Sequence, residues 1–210
     1  MKKYFILISL LIILCLHSQG QVKIGISALP GLSVNRISLD SDTLSLNNDG
    51  VGFKIALGIQ FDFEIRKNYY FNTGLFWVPK RVGLKMENKE YEQKRVYKLQ
   101  YIQIPFNFKL MTDEVSIDKW LFFQFGLAFE MKVDGSNHHL EEFYLEKFNF
   151  LDIVLDFGSG LEIKLGQNTI CFMGITYYRG LLNTIKPMPF LKGDIKAKND
   201  YWALNLGLKF

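Results

Sequence analysis

The sequence predicts an all-β fold, an eight-stranded antiparallel transmembrane β-barrel. Two observations predict it. In four long segments apolar residues alternate with small or polar ones, which is typical of β-strands with two different faces. The connections between the predicted strands then alternate between short and long, as in transmembrane barrels whose two rims differ. A chain of 210 residues, 49% apolar and 15% aromatic, has the size of one such barrel.

The clearest alternation runs from Val51 to Ile65, where every odd position is apolar and the even positions include Gly58, Gln60 and Asp62. The pattern recurs at 121–133, 151–165 and 202–210. Weaker alternation predicts four more strands, at Val22–Leu29, Tyr69–Val78, Leu99–Leu110 and Thr169–Leu182. All but the first, which is marginal, reach the ~9–11 residues that a tilted transmembrane strand needs.

The predicted connections differ in length on the two sides of the barrel. Short ones fall at 66–68, 111–119 and 166–168, and long polar ones at Pro30–Gly50, Pro79–Lys98, Asp134–Asn149 and Asn183–Asn199. Barrels of the bacterial outer membrane have short periplasmic turns and longer extracellular loops. The pattern therefore predicts an outer-membrane location with both termini periplasmic.

The start of the chain predicts a secretory signal peptide. Met1–Lys3 is basic, Tyr4–Leu16 is an apolar run, and Ser18 and Gly20 are small residues before the expected cleavage. The run is shorter than the ~20 residues of a membrane-spanning helix. We therefore predict two segments, a signal peptide at 1–20 and a barrel domain at 21–210.

The cysteines restrict the covalent chemistry. Cys15 leaves a lipoprotein signal open as an alternative, although Leu14 stands where a small residue should precede the cysteine. After cleavage at residue 20 only Cys171 remains, so no intramolecular disulfide is possible. Cys171 shares the apolar parity of its strand and is interpreted as a small apolar residue.

Alternation alone does not decide which face is inside, because a soluble ligand-binding barrel alternates too. Here the apolar face is uniformly bulky, whereas Gly, Ala and charge on the other face suit a narrow lumen. Aromatic residues gather towards strand ends, as in interfacial girdles. Phe210 ends the chain after an alternating strand and resembles the C-terminal aromatic residue of outer-membrane barrels. Leu57 and Phe125 are thus predicted to face lipid.

Charged residues recur on the predicted lumen face. One set lies near the short turns (Asp62, Glu64, Lys109, Glu162, Lys164, Lys209) and another towards the far rim (Lys54, Lys98, Glu130, Lys132, Asp152). Unpaired charges would be costly in a narrow lumen, so both sets are predicted to form salt-bridged plugs. Pro105 is predicted to face the lumen, at a bulge or local register break of its strand.

Residue types suited to metal binding cluster once, in a predicted loop with His138, His139, Glu141 and Glu142. Adjacent histidines lack the spacing that pre-organises a metal site, and a solvated loop is the better interpretation. Asp134 and Ser136 lie in the same segment, but no rigid element holds them beside a histidine. No catalytic, cofactor-binding or metal-binding residue is predicted, and a net charge of only +4 indicates no nucleic-acid partner.

Three segments carry a resemblance to a known family. Tyr101–Lys109, Phe157–Ile163 and Tyr177–Asn183 resemble the proline-containing, glycine-rich and Y-x-x-G-L-x-N strands of the PorT-like outer-membrane barrels of the Bacteroidetes. The resemblance implies an outer-membrane barrel and, through PorT itself, a link to type IX secretion. Asp42–Leu44 is similar to an O-glycosylation site of that phylum, which implies modification of Thr43.

The sequence leaves three functions open. The leading hypothesis is a non-enzymatic barrel that contacts outer-membrane lipid and envelope proteins, the proteins through loops 30–50, 79–98, 134–149 and 183–199. The second is a PorT-like accessory of protein secretion or transport. The third is an enzyme at the barrel rim that acts on lipid or lipopolysaccharide.

Overall fold

The computed structural model describes residues 22–39, 45–48, 50–87, 92–136, 148–185 and 195–210. They form nine β-strands: β1 (Val22–Leu39), β2 (Ser45–Asn48), β3 (Val51–Arg66), β4 (Tyr69–Glu87), β5 (Glu92–Met111), β6 (Lys119–Ser136), β7 (Leu151–Lys164), β8 (Ile170–Gly180) and β9 (Ile195–Lys209). Among these residues no helix is long and apolar enough to cross a membrane. The predicted signal peptide lies outside the described residues and stays a prediction.

Eight strands close into a barrel in the order β4–β3–β1–β9–β8–β7–β6–β5, and β5 pairs back with β4. Every neighbouring pair is antiparallel, including β1 with β9 near the two ends of the described chain. Closure leaves none of these eight strands at an edge within the barrel, so their backbone hydrogen bonds are satisfied within the wall, as lipid requires. The predicted eight-stranded antiparallel barrel is confirmed. The short β2 pairs with β4 beyond the barrel, from Ser45↔Glu87 to Asn48↔Leu84.

The two faces of the wall are those that alternation predicts. Leu57 is 49% exposed and Phe125 47%, whereas Gln60 is 4% and Asp62 2% exposed. The exposed apolar side chains continue around the barrel as a belt. Soluble monomers seldom expose so large an apolar surface, so the belt is a lipid-contact surface.

The predicted ends of several strands on the side of the long connections were wrong. β1 has 18 residues and continues through Pro30 to Leu39, so it is not marginal. β4 continues through Pro79 to Glu87 and pairs with β5 up to Glu87↔Glu92. Much of the predicted loops at 30–50 and 79–98 is therefore paired strand. The parts of the long connections at 137–147 and 186–194 lie outside the described residues.

Prolines interrupt the ladders without shifting their register. At Pro30 the β1–β9 pairing lapses between Ala28↔Leu206 and Gly31↔Ala203 and then resumes in the same register. The Leu29 carbonyl at this lapse accepts a hydrogen bond from the Tyr201 hydroxyl. The Tyr201 hydroxyl thus satisfies a backbone carbonyl where the ladder is interrupted, and β1 continues beyond Pro30.

Pro105 shows the same solution on β5. It is buried on the lumen side, as predicted. The β4–β5 pairing lapses between Thr73↔Phe106 and Phe76↔Gln103. Thr73 Oγ1 donates to the Pro105 carbonyl at 2.6 Å. The register is again unchanged, so the predicted register break at Pro105 was wrong.

Side-chain contacts connect two of the predicted short turns. The β3–β4 turn consists of Lys67 and Asn68, and Asn68 adopts the left-handed conformation with φ of 69°. Asn68 Nδ2 donates to Asp113 Oδ1 at 3.0 Å, and Lys67 Nζ lies 3.3 Å from the same oxygen. The hydrogen bond from Asn68 and the nearby Lys67 hold the pKa of the Asp113 carboxyl below its ordinary value.

The lipid belt predicts a depth-dependent cost of placing charge on it. Leu57→Arg puts a guanidinium near mid-belt and should cost about 2–4 kcal/mol of folding free energy, because such barrels pay most at the bilayer midplane. Ile65→Arg makes the same change at the end of β3, where the cost should be roughly 0–1 kcal/mol. Folding into lipid vesicles, followed by the gel-mobility shift of the heated sample, measures both. Equal losses for the two variants would contradict the assignment of the belt.

Candidate functional site in the charged lumen

Two acids and two lysines close the lumen beside the short turns. Asp62 lies on β3, Lys109 on β5, Glu162 on β7 and Lys209 on β9. Each is 1–2% exposed. We refer to these four residues as the lower charge layer. All four belong to the set that the sequence predicted to form a plug beside the short turns.

Every cation of the lower charge layer contacts both anions. Lys109 Nζ lies 2.8 Å from Asp62 Oδ2, and Lys209 Nζ lies 2.6 Å from the same oxygen. Both ammonium groups also contact Glu162 Oε1. Asn72 Nδ2 donates to the other Asp62 oxygen at 2.6 Å. The layer is thus a closed ring of alternating charges with no net charge.

The ring follows from barrel geometry. β3, β9, β7 and β5 are every second strand around the wall, and side chains at one level of a narrow barrel come from alternate strands. Two intervening strands supply aromatic rings: Lys109 Nζ lies 4.7 Å from the ring centroid of Phe122, and Lys209 Nζ 4.8 Å from that of Phe172. The ammonium groups therefore gain cation–π contacts in addition to their carboxylate partners.

A second group of charges lies nearer the long connections. Lys80 on β4 contacts Glu130 on β6, and its Nζ lies 3.4 Å from Asp152 Oδ2 on β7. The same ammonium lies 4.9 Å from the Tyr101 ring centroid. We refer to Lys80, Glu130 and Asp152 as the upper charge cluster. Sequence reasoning missed Lys80, because Pro79 was interpreted as the start of a loop.

Apolar side chains fill much of the rest of the described lumen, beside buried polar ones such as Gln60, Gln124 and Asn205. One buried cluster lies between the two charged levels (Leu29, Ala56, Phe76, Val78, Ala128, Val154, Tyr178, Tyr201, Ala203) and another lies beyond Lys80 (Val82, Leu99, Tyr101, Phe148, Ile185, Ala197). Gly58 leaves the space that the Phe76 ring occupies, because a Cβ at this position would lie only 2.4 Å from a ring carbon of Phe76. An eight-stranded barrel has an interior just wide enough for such filling.

One buried acid has no cation beside it in the described part of the barrel. Asp156 on β7 accepts a hydrogen bond from Asn107 Nδ2, but its Oδ1 has no partner there. The Oδ1 atom of Asn107 is likewise unpartnered. Because an unpaired buried carboxylate is costly, this level is the least well balanced of the lumen.

Several predicted lumen charges do not join a plug, and for them the prediction was wrong. Glu64 and Lys164 lie at strand ends and outside the lower charge layer. Lys54, Lys98 and Lys132 do not join the upper charge cluster, and Lys132 Nζ instead lies 5.6 Å from the Phe148 ring centroid. All five remain at least partly exposed, so burial does not force them to pair.

The other candidates give no reactive site among the described residues. Cys171 is a partly buried free thiol on β8, paired with Ile163 and Leu208 in the wall. No three His, Cys, Asp or Glu side chains in this part of the chain are placed to hold a metal ion. His138, His139, Glu141, Glu142 and Thr43 lie outside the described residues, as does the side chain of Ser136. The metal, glycosylation and enzyme hypotheses that depend on them stay untested.

Comparison with known proteins agrees with this architecture. Residues 18–186 match the family described as outer membrane protein beta-barrel domain. The chain belongs to this family. The family indicates the bacterial outer membrane as its location. The narrower resemblance to PorT-like barrels stays a prediction.

Two solved structures of bacterial proteins share the fold. Neisserial surface protein A is 13% identical, with 90% of this chain and 95% of that chain covered and a TM-score of 0.54. OprG from Pseudomonas aeruginosa is 14% identical, with 92% and 97% covered and a TM-score of 0.53. At these identities the similarity establishes the fold alone. No curated protein matches the sequence.

The lower charge layer predicts a large effect of a small change. Asp62→Asn removes one anion and leaves Lys109 and Lys209 to share Glu162, which should cost about 3–5 kcal/mol of unfolding free energy. Urea unfolding of the barrel in lipid vesicles measures this loss. Glu64→Gln, the isosteric change two positions along β3, should cost less than about 0.5 kcal/mol.

A double variant separates charge balance from packing. Asp62→Asn combined with Lys209→Met restores neutrality and should be more stable than Asp62→Asn alone, since removing the surplus cation relieves the repulsion. If the double variant is less stable than the single one, the ring is not held by its charge balance.

Proposed function

We propose that this protein is a non-enzymatic structural or interaction component of the cell envelope that works through its projecting strands. The observation that supports this most is the filled lumen: it holds the lower charge layer, an apolar cluster, the upper charge cluster and a second apolar cluster in that order. Diffusion pores need ~16 or more strands. The surface left for contact with other molecules is the rim on the side of the long connections.

The projecting hairpin of β4 and β5 supports the proposal. Its ladder continues from Trp77↔Ile102 to Glu87↔Glu92, which is roughly 30 Å of strand at ~3.4 Å per residue. The buried cluster around Val82, Leu99 and Tyr101 lies at the base of the hairpin. A hairpin packed at its base holds its paired strands at a fixed position, which lowers the entropic cost of binding a partner.

We further propose that the short turns and both termini are periplasmic and that the long connections face outward. Outer-membrane barrels with one short and one long rim share this orientation. Export would depend on the predicted signal peptide at 1–20.

Protease added to intact cells tests the orientation. Cleavage is expected within Asp134–Asn149 or Asn183–Asn199, because only the outer rim is accessible, and Gly166–Asn168 should be spared. Mass spectrometry of the fragments gives the sites, and lysed cells provide the control in which both rims are accessible. Cleavage of intact cells at the short turns would mean the reverse orientation.

The resemblance through Tyr101–Lys109 and Tyr177–Asn183 favours a second candidate, an accessory of protein secretion. A strain lacking this protein that retains its secreted proteins in the periplasm would support that candidate. Normal secretion with a loss of envelope contacts would favour the interaction role.

Shortening the projecting hairpin tests the leading proposal. Val82 and Tyr97 are paired, so replacing 83–96 with Asn-Gly joins them by a two-residue turn. The shortened barrel should fold, as judged by heat-modifiable mobility, but lose the envelope proteins that the parent captures on cross-linking in the outer membrane. Ile117→Ser, in an exposed residue of a short turn, is the control and should capture as the parent does. Unchanged capture by the shortened barrel would contradict the role of this hairpin.

A further inference from the structure

Basic side chains gather on the outer surface where β1, β8 and β9 leave the lipid belt. The rings of Tyr177 and Trp202 stack there, with centroids 4.5 Å apart and planes at 29°. Such amphipathic rings lie at the level of lipid headgroups in membrane proteins. The residues one step further from the belt are Arg36, Arg179, Lys198 and Asp200, and we refer to these four as the rim patch.

One arginine and the acid of the rim patch form a fixed frame. Arg36 binds Asp200 through two nitrogens, Nε to Oδ2 at 2.8 Å and Nη2 to Oδ1 at 2.8 Å. Arg36 Nη2 also donates to the Gly180 carbonyl at 2.9 Å, and the Tyr177 hydroxyl donates to Asp200 Oδ2 at 3.0 Å. Asp200 is therefore already neutralised by Arg36 in a bidentate pair.

The other two cations of the rim patch, Arg179 and Lys198, flank this frame. Arg179 lies opposite Asp200 across β8 and β9, and Lys198 lies opposite Arg36 across β1 and β9. Within the described part of the chain, neither side chain has a hydrogen bond or ion pair. Arg179 and Lys198 are diagonal neighbours, which lie about 7–8 Å apart in a sheet. One phosphate group between them is within reach of both.

A separate apolar depression lies deeper in the lipid belt, where β1 runs between β3 and β9. Its outward wall is formed by Ile26, Leu57, Leu206 and Leu208 around Ala28. The depression exists because Ala28 is small and its direct partners on either side are Leu57 and Leu206. At ~3.3 Å per residue and a tilt of ~40°, Ala28 lies roughly 20 Å below Arg36. From phosphate level to the midplane a leaflet measures roughly 20 Å, of which about 15 Å is hydrocarbon, so the end of an acyl chain anchored at the rim patch reaches this depth.

We propose that the outer face formed by β8, β9, β1 and β3 binds a phosphorylated, acylated lipid of the adjacent leaflet. Arg179 and Lys198 hold the phosphate, the Arg36–Asp200 pair keeps the surrounding strands in place, and the depression at Ala28 receives an acyl chain. Three cations against one acid give the rim patch the charge that complements a phosphate. The inference does not depend on which side of the membrane the long connections face.

Native mass spectrometry of the full barrel in detergent micelles tests the headgroup contact. The parent should retain one dioleoyl phosphatidic acid in preference to dioleoyl phosphatidylcholine. Arg179→Ala/Lys198→Ala should lower that retention roughly tenfold or more, because each basic residue near the surface contributes to anionic lipid binding. The matched control, Lys119→Ala/Lys164→Ala, removes two exposed lysines near the short turns and should retain the lipid as the parent does. Equal retention by both double variants would overturn the proposal.

A second pair of measurements tests the acyl contact. Ala28→Leu fills the depression yet keeps an apolar residue on the lipid face, so the barrel should fold. This variant should retain less dioleoyl phosphatidic acid than the parent but as much of the dihexanoyl form, whose chains are too short to reach Ala28. Inorganic phosphate should not displace the dioleoyl lipid. Displacement by phosphate alone, or unchanged retention by Ala28→Leu, would show that no lipid is bound in the way proposed.

Discussion

Four charged side chains buried away from water are stable together only when each contacts a group of opposite charge. This requirement restricts the register in which the strands of the barrel can pair. Asp62, Lys109, Glu162 and Lys209 come from β3, β5, β7 and β9, so the ring forms only if all four strands arrive at the same level. A slip of one residue in any of these strands would move its charge to the lipid face. It would also leave a buried partner uncompensated. The ring therefore selects one register among those that an alternating pattern alone permits.

A neutral, filled interior also limits what the molecule can do. Above the ring, apolar side chains from several strands pack against one another, and Lys80 bridges two acids between the apolar clusters. Replacing any of these side chains to admit a solute would expose buried charges or leave a cavity, both at a cost of several kcal/mol. The interior therefore serves stability, and function is expected on the outer surfaces of the wall. The projecting hairpin of β4 and β5 and the rim patch lie on these surfaces.

The sequence predicted the parts of the fold that one strand specifies by itself. Alternation assigned Leu57 to lipid and Gln60 to the lumen, because a strand in the belt meets a different medium on each face. The prediction failed where pairing with neighbouring strands determines the structure. Pro30 and Pro79 suggested strand ends, yet the flanking residues stay paired across the wall. Which lysine meets which carboxylate depends on strand order and stagger, since Lys109 and Asp62 lie on strands that are not neighbours. Lys80 and Arg36 were missed because the segments that begin at Pro79 and Pro30 were predicted to be loops.

The continuation of strands past these prolines explains where the membrane surface lies. Along the outward face of β9, apolar Leu206 and Leu204 are followed by Trp202, then by Asp200 and Lys198, while pairing with β1 continues to Leu39↔Ile195. The change from apolar to charged residues thus occurs within one regular strand and is set by the surrounding medium. Because the same wall crosses that boundary unbroken, the backbone at the headgroup level is held in the same ladder as in the belt. The ladder fixes the spacing of the Arg179 and Lys198 backbones, so a phosphate group that binds between them has only the two side chains to order.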